Sequence, residues 1–259
     1  MCAGTFALQT ECRLRNKRGE PLQQGIRTAA FAEYAIVDQS QVVRVPDELP
    51  LECAALLACG VITGLGAVVN TAHAEPGSSV VVIGTGGVGL NAIQGALLSG
   101  ADPIIAVDLL DTKLLAARSF GASQTINASR DDAVAAVKEL TGGHGADYVF
   151  VTVGHPMAAT QGMNMIRKLG TLVIVGIPEQ GTTVPLPVTD LVINGYRVLG
   201  SMMGSTRLNV DVPRLVDLYL HGRLKLDELI TARYPLERIN EAIEAMERGE
   251  ALRNVIVFS

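Results

Sequence analysis

The chain has 259 residues, of which 48% are hydrophobic and 18% are charged, and its formal net charge is −5. At about 150 residues per domain, this length predicts a soluble globular protein with one large domain, or one domain and part of another. The weak acidity and the lack of a long Lys/Arg stripe exclude a nucleic-acid groove. We expect no segment with the roughly 18 to 20 apolar residues of a membrane helix, hence no membrane partner and a cytoplasmic location.

The cysteines indicate no disulfide scaffold, because four are too few for a chain of this length. They are Cys2, Cys12, Cys53 and Cys59, and no two of them form a CxxC pair. We expect free thiols or isolated metal ligands.

The predicted secondary structure changes character along the chain. Two β-rich segments, Ala30 to Val37 and Gln41 to Val45, predict short strands near the start. From Ser79 onward, apolar β-branched runs alternate with helical patterns, as in βαβ units around a parallel sheet. Six strands are predicted at residues 79–83, 103–107, 124–127, 148–153, 171–175 and 196–200, and helices at 112–120, 130–140, 157–168, 213–220 and 236–248, before a strand at 254–258.

The strand composition favours a particular fold class. Continuously apolar strands, such as those at 79–83 and 148–153, are expected where helices cover both faces of a sheet. A sandwich would show alternation of apolar and polar residues instead. The sequence therefore predicts an α/β fold with a doubly wound, six-stranded parallel sheet.

A glycine-rich turn, residues 84–89, has the pattern GxGxxG between the first apolar strand and a helix. Gly84 permits the tight turn, Gly86 lets a pyrophosphate approach, and Gly89 lets the helix pack close to its strand. The helix N-terminus then offers free N–H groups to the anion. An isolated GxGxxG is more often a flexible loop, but this context favours a dinucleotide site.

Asp108 ends the next predicted strand about twenty residues after the turn, where a carboxylate can accept both hydroxyls of the adenosine ribose. The same charge would repel a 2′-phosphate, so we expect NAD rather than NADP. Alternatively, Asp108 caps the helix that starts at residues 111–113. Lys113 either reaches the ribose or faces water.

Several motifs together resemble a known family. They are Leu57 to Gly64, Glu75 to Gly77, the turn at 84–89, Asp108 and Lys113, with Phe31 to Tyr34, Val175 to Pro178 and Ala251 to Val255 towards the two ends. The set is similar to the zinc-dependent alcohol dehydrogenases of the medium-chain dehydrogenase/reductase superfamily, in the class that includes thiol-adduct formaldehyde dehydrogenases.

The resemblance implies a Rossmann domain at about residues 61–203, set into a GroES-like β domain formed in part by residues 1–60 and 204–259. It implies a zinc ion between the domains, with Cys59 as one of its three protein ligands. The catalytic residues it implies are Cys59 and Thr63. Thr63 would lie beside the nicotinamide, Val88 would press on its face, and Arg253 would contact the pyrophosphate. The remaining implied cofactor contacts are Gly84, Gly86, Gly87, Gly89, Asp108, Lys113, Val153, Val175 and Ile177.

The sequence also departs from the family. The other two zinc-binding side chains, a Cys and a His, belong to an N-terminal stretch of roughly a hundred residues that has no counterpart here, so the zinc site is incomplete. Cys2 matches at most the last of four cysteines in a structural zinc lobe. We expect a truncated member whose GroES-like part exposes an apolar face around Phe31, Tyr34 and Ile36.

The expected function is hydride transfer between a small alcohol, or an aldehyde adduct, and NAD, with a catalytic zinc. One alternative is a non-catalytic NAD-binding or dimerisation module, and another is a zinc-free quinone reductase of the same superfamily. The strand at 196–200 is expected to pair with its copy in a homodimer or homotetramer. The alternative is an edge strand that the C-terminal helix covers.

Overall fold

The computed structural model describes residue 12, residues 14–23, residue 25 and residues 28–258. Its strands are β1 (Leu14–Arg15), β2 (Pro21–Leu22), β3 (Val80–Ile83), β4 (Ile104–Asp108), β5 (Gln124–Asn127), β6 (Ala146–Val151), β7 (Ile166–Ile174), β8 (Arg197–Gly200), β9 (Ile230–Pro235) and β10 (Arg253–Val257). Its main helices are α1 (Leu51–Ala72), α2 (Gly87–Leu98), α3 (Asp111–Ser119), α4 (Ala133–Leu140), α5 (Pro156–Met165), α6 (Val188–Asn194), α7 (Leu208–Leu220) and α8 (Ile239–Glu247).

Six strands form one parallel sheet in the order β5-β4-β3-β6-β7-β8. The chain therefore starts in the middle of the sheet, moves to one edge, returns and moves to the other. This is the doubly wound arrangement, in which the strand order reverses beside the first strand. The predicted fold class is confirmed, and the C-terminal ends of β3 and β6 meet at the reversal point.

The sheet is buried on both faces, as its apolar strands predicted. Every residue of β3 is buried. Val80 and Val82 join a core cluster with α1, α2 and α7, whereas Val81 and Ile83 join a second cluster with α4 and α5. Helices therefore cover the two faces, and the C-terminal edge of the sheet is left to form a site.

Helix α1 contradicts our expectation that no segment is long and apolar enough to cross a membrane. It has 22 residues with a mean hydropathy of 2.0, which is long and apolar enough to cross a membrane. However, 67% of its apolar window is buried inside the fold. We missed this helix because its glycines and its Thr63 interrupt the apolar run in sequence. Its burial is that of a core helix.

The expected strands at Ala30 to Val37 and Gln41 to Val45 are not formed. The structure shows irregular backbone there, with one 3-10 turn at Gln39–Gln41. A strand needs a neighbour for its backbone hydrogen bonds, and no described segment pairs with this one. The expected apolar exposure is confirmed, since Phe31 is 69%, Tyr34 88% and Ile36 72% exposed.

Two further elements differ from the prediction, one in its end point and one in its existence. The helix expected at 157–168 ends at Met165, and the chain continues directly into β7. Strand β9 was not predicted, although it pairs in parallel with β10. The reason is that its polar residues alternate with half-buried ones, so its sequence lacks an apolar run.

At the opposite edge of the sheet, Asp147 accepts hydrogen bonds from the Ser79 N–H at 2.9 Å and the Ser79 hydroxyl at 2.6 Å, and pairs with Arg167. Desolvation opposes these contacts, but together they hold the pKa of Asp147 below its ordinary value of 3.8. A lowered carboxyl pKa stabilises the fold above the unfolded-state value, and this stabilisation is lost as the pH falls through the folded-state value.

We therefore expect Asp147→Asn to lower the free energy of unfolding by about 1–3 kcal/mol at neutral pH. The difference from the unsubstituted chain should shrink as the pH falls below about 3.8. Urea titrations across this pH range measure it, with Asp217→Asn, at an exposed position, as the control. A difference that stays constant with pH would contradict the assignment.

Candidate cofactor site

The glycine-rich turn joins β3 to α2 at the C-terminal edge of the sheet. Gly84 has a positive φ of 88°, a conformation that L side chains rarely adopt. Gly86 is the N-cap of α2 and has no side chain, so it cannot accept a hydrogen bond from the first N–H groups of the helix. The predicted strand, turn and helix are all present.

The glycines of the turn have different packing. A Cβ at Gly89 would lie 1.9 Å from the Gly84 carbonyl oxygen, so this glycine is required for the fold itself. A Cβ at Gly86 would meet no heavy atom within 4 Å. The space above Gly86 is therefore open, which is what a close-approaching pyrophosphate needs.

Arg253, at the start of β10, is brought against this turn from the far end of the chain. Its guanidinium occupies the space that a Cβ at Gly60 or Gly87 would need. The Arg253 Nη2 is only 2.3 Å from where a Cβ of Gly60 would lie. Desolvation lowers the pKa of Arg253, and a negative charge on the neighbouring Cys59 sulfur acts in the opposite sense. Among the described residues no carboxylate pairs with Arg253, so a desolvated cation faces the N-terminus of α2.

Asp108 ends β4, beside the same turn. One carboxylate oxygen accepts from the Thr85 N–H at 2.7 Å and the Thr85 hydroxyl at 3.0 Å. The other accepts from the N–H groups of Leu109 at 2.8 Å and Leu110 at 3.1 Å. Asp108 thus lies at the strand end where the sequence predicted it. It does not cap α3, the role that we considered as the alternative, because the N-cap of that helix is Leu110, without a side-chain cap.

Three loop ends meet at this edge of the sheet. The Val153 Cγ1 is 2.3 Å from where a Cβ of Gly84 would lie, and the backbone of Val153 packs directly on Gly176. Val175 is buried in the core, whereas Ile177 is 78% exposed. Of these implied contacts, Val153 touches the turn and Ile177 is open to solvent.

Three further residues of the predicted site, Thr63, Val88 and Lys113, lie on helices α1, α2 and α3. Thr63 is buried in α1, and its hydroxyl is 3.8 Å from the Met203 Sδ. Val88 is half-buried on the first turn of α2, where its carbonyl packs on Gly64 of α1. Lys113 is half-buried, one turn into α3.

Cys59 is an exposed free thiol on the π-helical turn Leu57–Val61 of α1, next to Arg253. A catalytic zinc needs three protein ligands. The described part of the chain contains no group of three His, Cys, Asp or Glu residues that fits a metal ion. These residues therefore fit a dinucleotide, through the open glycine turn and the unpaired Arg253, but they do not fit a zinc ion.

The other described cysteines, Cys53 and Cys12, lie outside the candidate cofactor site. Cys53 is buried, and its thiol lies 3.4 Å from the Asp227 Oδ1 and 3.7 Å from the Tyr219 hydroxyl. Burial raises the pKa of Cys53, which disfavours a reactive thiolate. The exposed Cys12 donates to the Leu22 carbonyl. Cys2 lies outside the described residues.

Sequence reasoning missed three residues that shape the site. Thr85 holds Asp108, Thr152 donates to the Gly84 carbonyl at 2.6 Å, and Gly60 makes room for Arg253. Thr85 occupies a variable position of GxGxxG, and Thr152 ends an apolar strand. Only Gly60 had a usable signal, because it follows Cys59 in a motif that also carries the family resemblance.

Comparison with known proteins places this geometry in a family. Residues 87–220, just over half of the chain, match the family model described as zinc-binding dehydrogenase. The chain belongs to the zinc-binding dehydrogenase family. The matched residues of this dehydrogenase chain run from the start of α2 to the end of α7 and include most of the sheet.

The dehydrogenase chain is similar in sequence to alcohol dehydrogenases. It is 42% identical to the NDMA-dependent alcohol dehydrogenase of Amycolatopsis methanolica, over 88% of this chain and 62% of that protein. It is 38% identical to alcohol dehydrogenase-like 5 of Arabidopsis thaliana, over 94% of this chain and 63% of that protein. The chain thus spans just under two thirds of the length of these relatives.

Solved structures show the same similarity. A zinc-binding domain protein of the alcohol dehydrogenase type from Burkholderia ambifaria has a TM-score of 0.88 at 36% identity, covering 95% of this chain and 66% of that one. Benzyl alcohol dehydrogenase from Acinetobacter calcoaceticus has a TM-score of 0.86 at 35% identity, covering 89% and 64%. The doubly wound sheet and its flanking helices are therefore the family's fold.

Proposed function

We propose that the chain binds NAD at the glycine-rich turn and belongs to an oxidoreductase that transfers hydride between an alcohol, or an aldehyde adduct, and NAD. The observation that carries this proposal is Arg253, a desolvated cation without a carboxylate partner among the described residues, which faces an open helix N-terminus. Such a cation has no anion to pair with, and a pyrophosphate bound at the N-terminus of α2 would supply one beside the guanidinium.

The turn and three side chains would hold the dinucleotide. The pyrophosphate would lie over Gly86 and the N-terminus of α2, paired with Arg253, and the adenosine ribose would lie at Asp108. Val153 would bound the site from the next loop. When bound, the dinucleotide supplies the hydride acceptor or donor. The protein would orient it through fixed backbone N–H groups and would limit water at the pyrophosphate through the half-buried Arg253.

The preference for NAD over NADP rests on the charge of Asp108. We expect Asp108→Asn to weaken NADH binding and to reduce the preference for NADH over NADPH about tenfold or more, because it removes a charge that faces the 2′ position. Fluorescence titration with both nucleotides measures the ratio of their Kd values. An unchanged ratio would remove Asp108 from the proposal.

The same substitution is expected to lower stability, since an amide NH₂ would face N–H groups that now donate to a carboxylate oxygen. The ratio of Kd values is therefore the decisive quantity. Both nucleotides bind the same folded fraction, so a loss of folded protein cancels in it.

Zinc belongs to the proposal only for the whole enzyme. Cys59 would be one ligand, and the described residues do not complete the set. This observation favours a second candidate function for the chain as it stands, a non-catalytic NAD-binding module. The proposed domains are 61–203 for the cofactor and 1–60 with 204–259 for the GroES-like part.

The test is to titrate the purified chain with NADH and then to follow NADH formation from NAD with a series of alcohols, with and without added Zn²⁺. Saturable binding with alcohol-dependent turnover supports the full proposal. Binding without turnover supports the module. Absence of NADH binding contradicts both.

We propose a small-molecule alcohol or aldehyde as the substrate and a homodimer or homotetramer as the assembly. Strand β8 lies at the edge of the sheet, and within the described residues its outer side has no strand partner. Its exposed Val198, and the exposed Val192 and Ile193 on α6, fit a partner across this edge. Free thiols at Cys12, Cys53 and Cys59 fit a reducing, cytoplasmic compartment.

A further inference from the structure

The Asp108 carboxylate accepts four hydrogen bonds from the described residues, two on each oxygen. Leu109 and Leu110 donate to Oδ1 through their backbone. Thr85 donates to Oδ2 twice, through its N–H and through its hydroxyl. The backbone donors are present whatever the side chains are. Among the described residues, the Thr85 hydroxyl is therefore the only side-chain group that donates to this carboxylate.

Thr85 cannot touch a bound ligand directly. Its exposed fraction is 0%, whereas Asp108 is half-buried and reaches the open edge of the sheet. A side chain without exposed surface acts on a ligand only through the group it holds. That group is Asp108, and the contact links the glycine-rich turn to the end of the neighbouring strand β4.

We propose that the Thr85 hydroxyl is a positioning group for cofactor selectivity: it fixes the Asp108 carboxylate in the orientation that separates a 2′-hydroxyl from a 2′-phosphate. This inference rests on the proposed function. A fixed carboxylate offers a ready acceptor to a hydroxyl and cannot turn away from a phosphate. Without the hydroxyl bond, the carboxylate is held only by the N–H groups of Thr85, Leu109 and Leu110 and turns more readily, which weakens the first effect and relaxes the second.

The substitution that isolates the hydroxyl is Thr85→Val, because valine has nearly the shape of threonine and leaves the backbone N–H bond in place. We expect Kd for NADH to rise about fivefold and Kd for NADPH to stay the same or fall, so that the selectivity ratio drops about fivefold or more. Thr85→Ser keeps the hydroxyl and should restore the ratio.

A purely structural role predicts a different result. If Thr85 only tied two loops together, its loss would weaken both nucleotides by the same factor. Thr152→Val is the matched control, since it removes another hydroxyl bond to the same turn, the 2.6 Å bond to the Gly84 carbonyl, without touching Asp108. It should leave the ratio unchanged, whatever it does to either Kd.

The experiment is a fluorescence titration of NADH and NADPH on the full chain and on each variant, with thermal unfolding recorded in parallel. Thr85→Ala is included because it removes the hydroxyl without a β-branch, in case the valine variant does not fold. A lowered ratio in either variant, with restoration by serine, supports the inference. A ratio that stays unchanged while Asp108→Asn lowers it overturns the inference and leaves the proposed function intact. A chain that binds neither nucleotide overturns the proposed function, and the inference with it.

Discussion

Arg253→Met is expected to weaken NADH binding about 10- to 100-fold. The guanidinium faces the N-terminus of α2 and is the only side chain we assign to the pyrophosphate. Charge-assisted hydrogen bonds of this kind contribute about 1.5–3 kcal/mol each, and 1.4 kcal/mol corresponds to about a factor of ten in Kd. Methionine keeps an unbranched stem in the same space, so the loss measures the charge rather than the packing.

The same variant is expected to be more stable without cofactor. Arg253 is desolvated, and no described carboxylate pairs with it, so its charge costs free energy in the unliganded fold. Since the residue is only half-buried, we expect a gain of about 1 kcal/mol, or roughly 2–4 °C in Tm. Opposite signs for binding and stability are the signature of a group held ready for an anion.

Isothermal titration with NADH and thermal unfolding of the unliganded chain measure the two effects. Arg238→Gln is the control, because Arg238 is an exposed arginine of the same C-terminal region, paired with Glu241. It should change neither quantity appreciably. If Arg253→Met bound NADH like the unsubstituted chain, Arg253 would have no part in the cofactor site.

The second large effect separates two glycines of one turn. Gly86→Ala is expected to leave Tm nearly unchanged, because its methyl group would enter open space, and to weaken NADH binding about tenfold or more. Gly89→Ala is expected to lower the free energy of unfolding by about 3 kcal/mol, because its methyl would lie 1.9 Å from the Gly84 carbonyl oxygen.

The pair tests whether the open space above Gly86 is a binding surface. Thermal unfolding and NADH titration are measured on both variants. Normal NADH affinity in a folded Gly86→Ala chain would mean that no cofactor approaches this glycine. A stable Gly89→Ala chain would mean that the turn is looser than the structure shows.

Much of the site was predictable because its information is local. The positions of Gly84, Gly86 and Gly89 follow from one strand, one turn and one helix, and Asp108 follows from the end of the next strand. Parallel strands of one sheet bring their C-terminal ends to the same edge, so these two segments had to meet. Arg253 came from the family resemblance, and nothing in its own surroundings in sequence indicates a phosphate contact.

The doubly wound sheet and the cofactor turn follow from the amino-acid sequence alone, because apolar runs and glycine spacing depend on the environment of a segment of a few residues. The side chains that complete the site follow from tertiary packing. Arg253 lies between Gly60 and Gly87, and Thr85 is turned onto Asp108, because of how distant segments pack. Tertiary packing also explains the two predictions that were wrong, the strands near the start of the chain and the lack of a long apolar segment. The β-rich segment at 30–45 finds no strand partner among the described residues, and the apolar α1 is long enough for a membrane yet is mostly buried in the core. A strand or a buried helix is defined by its neighbours, and a local pattern does not contain them.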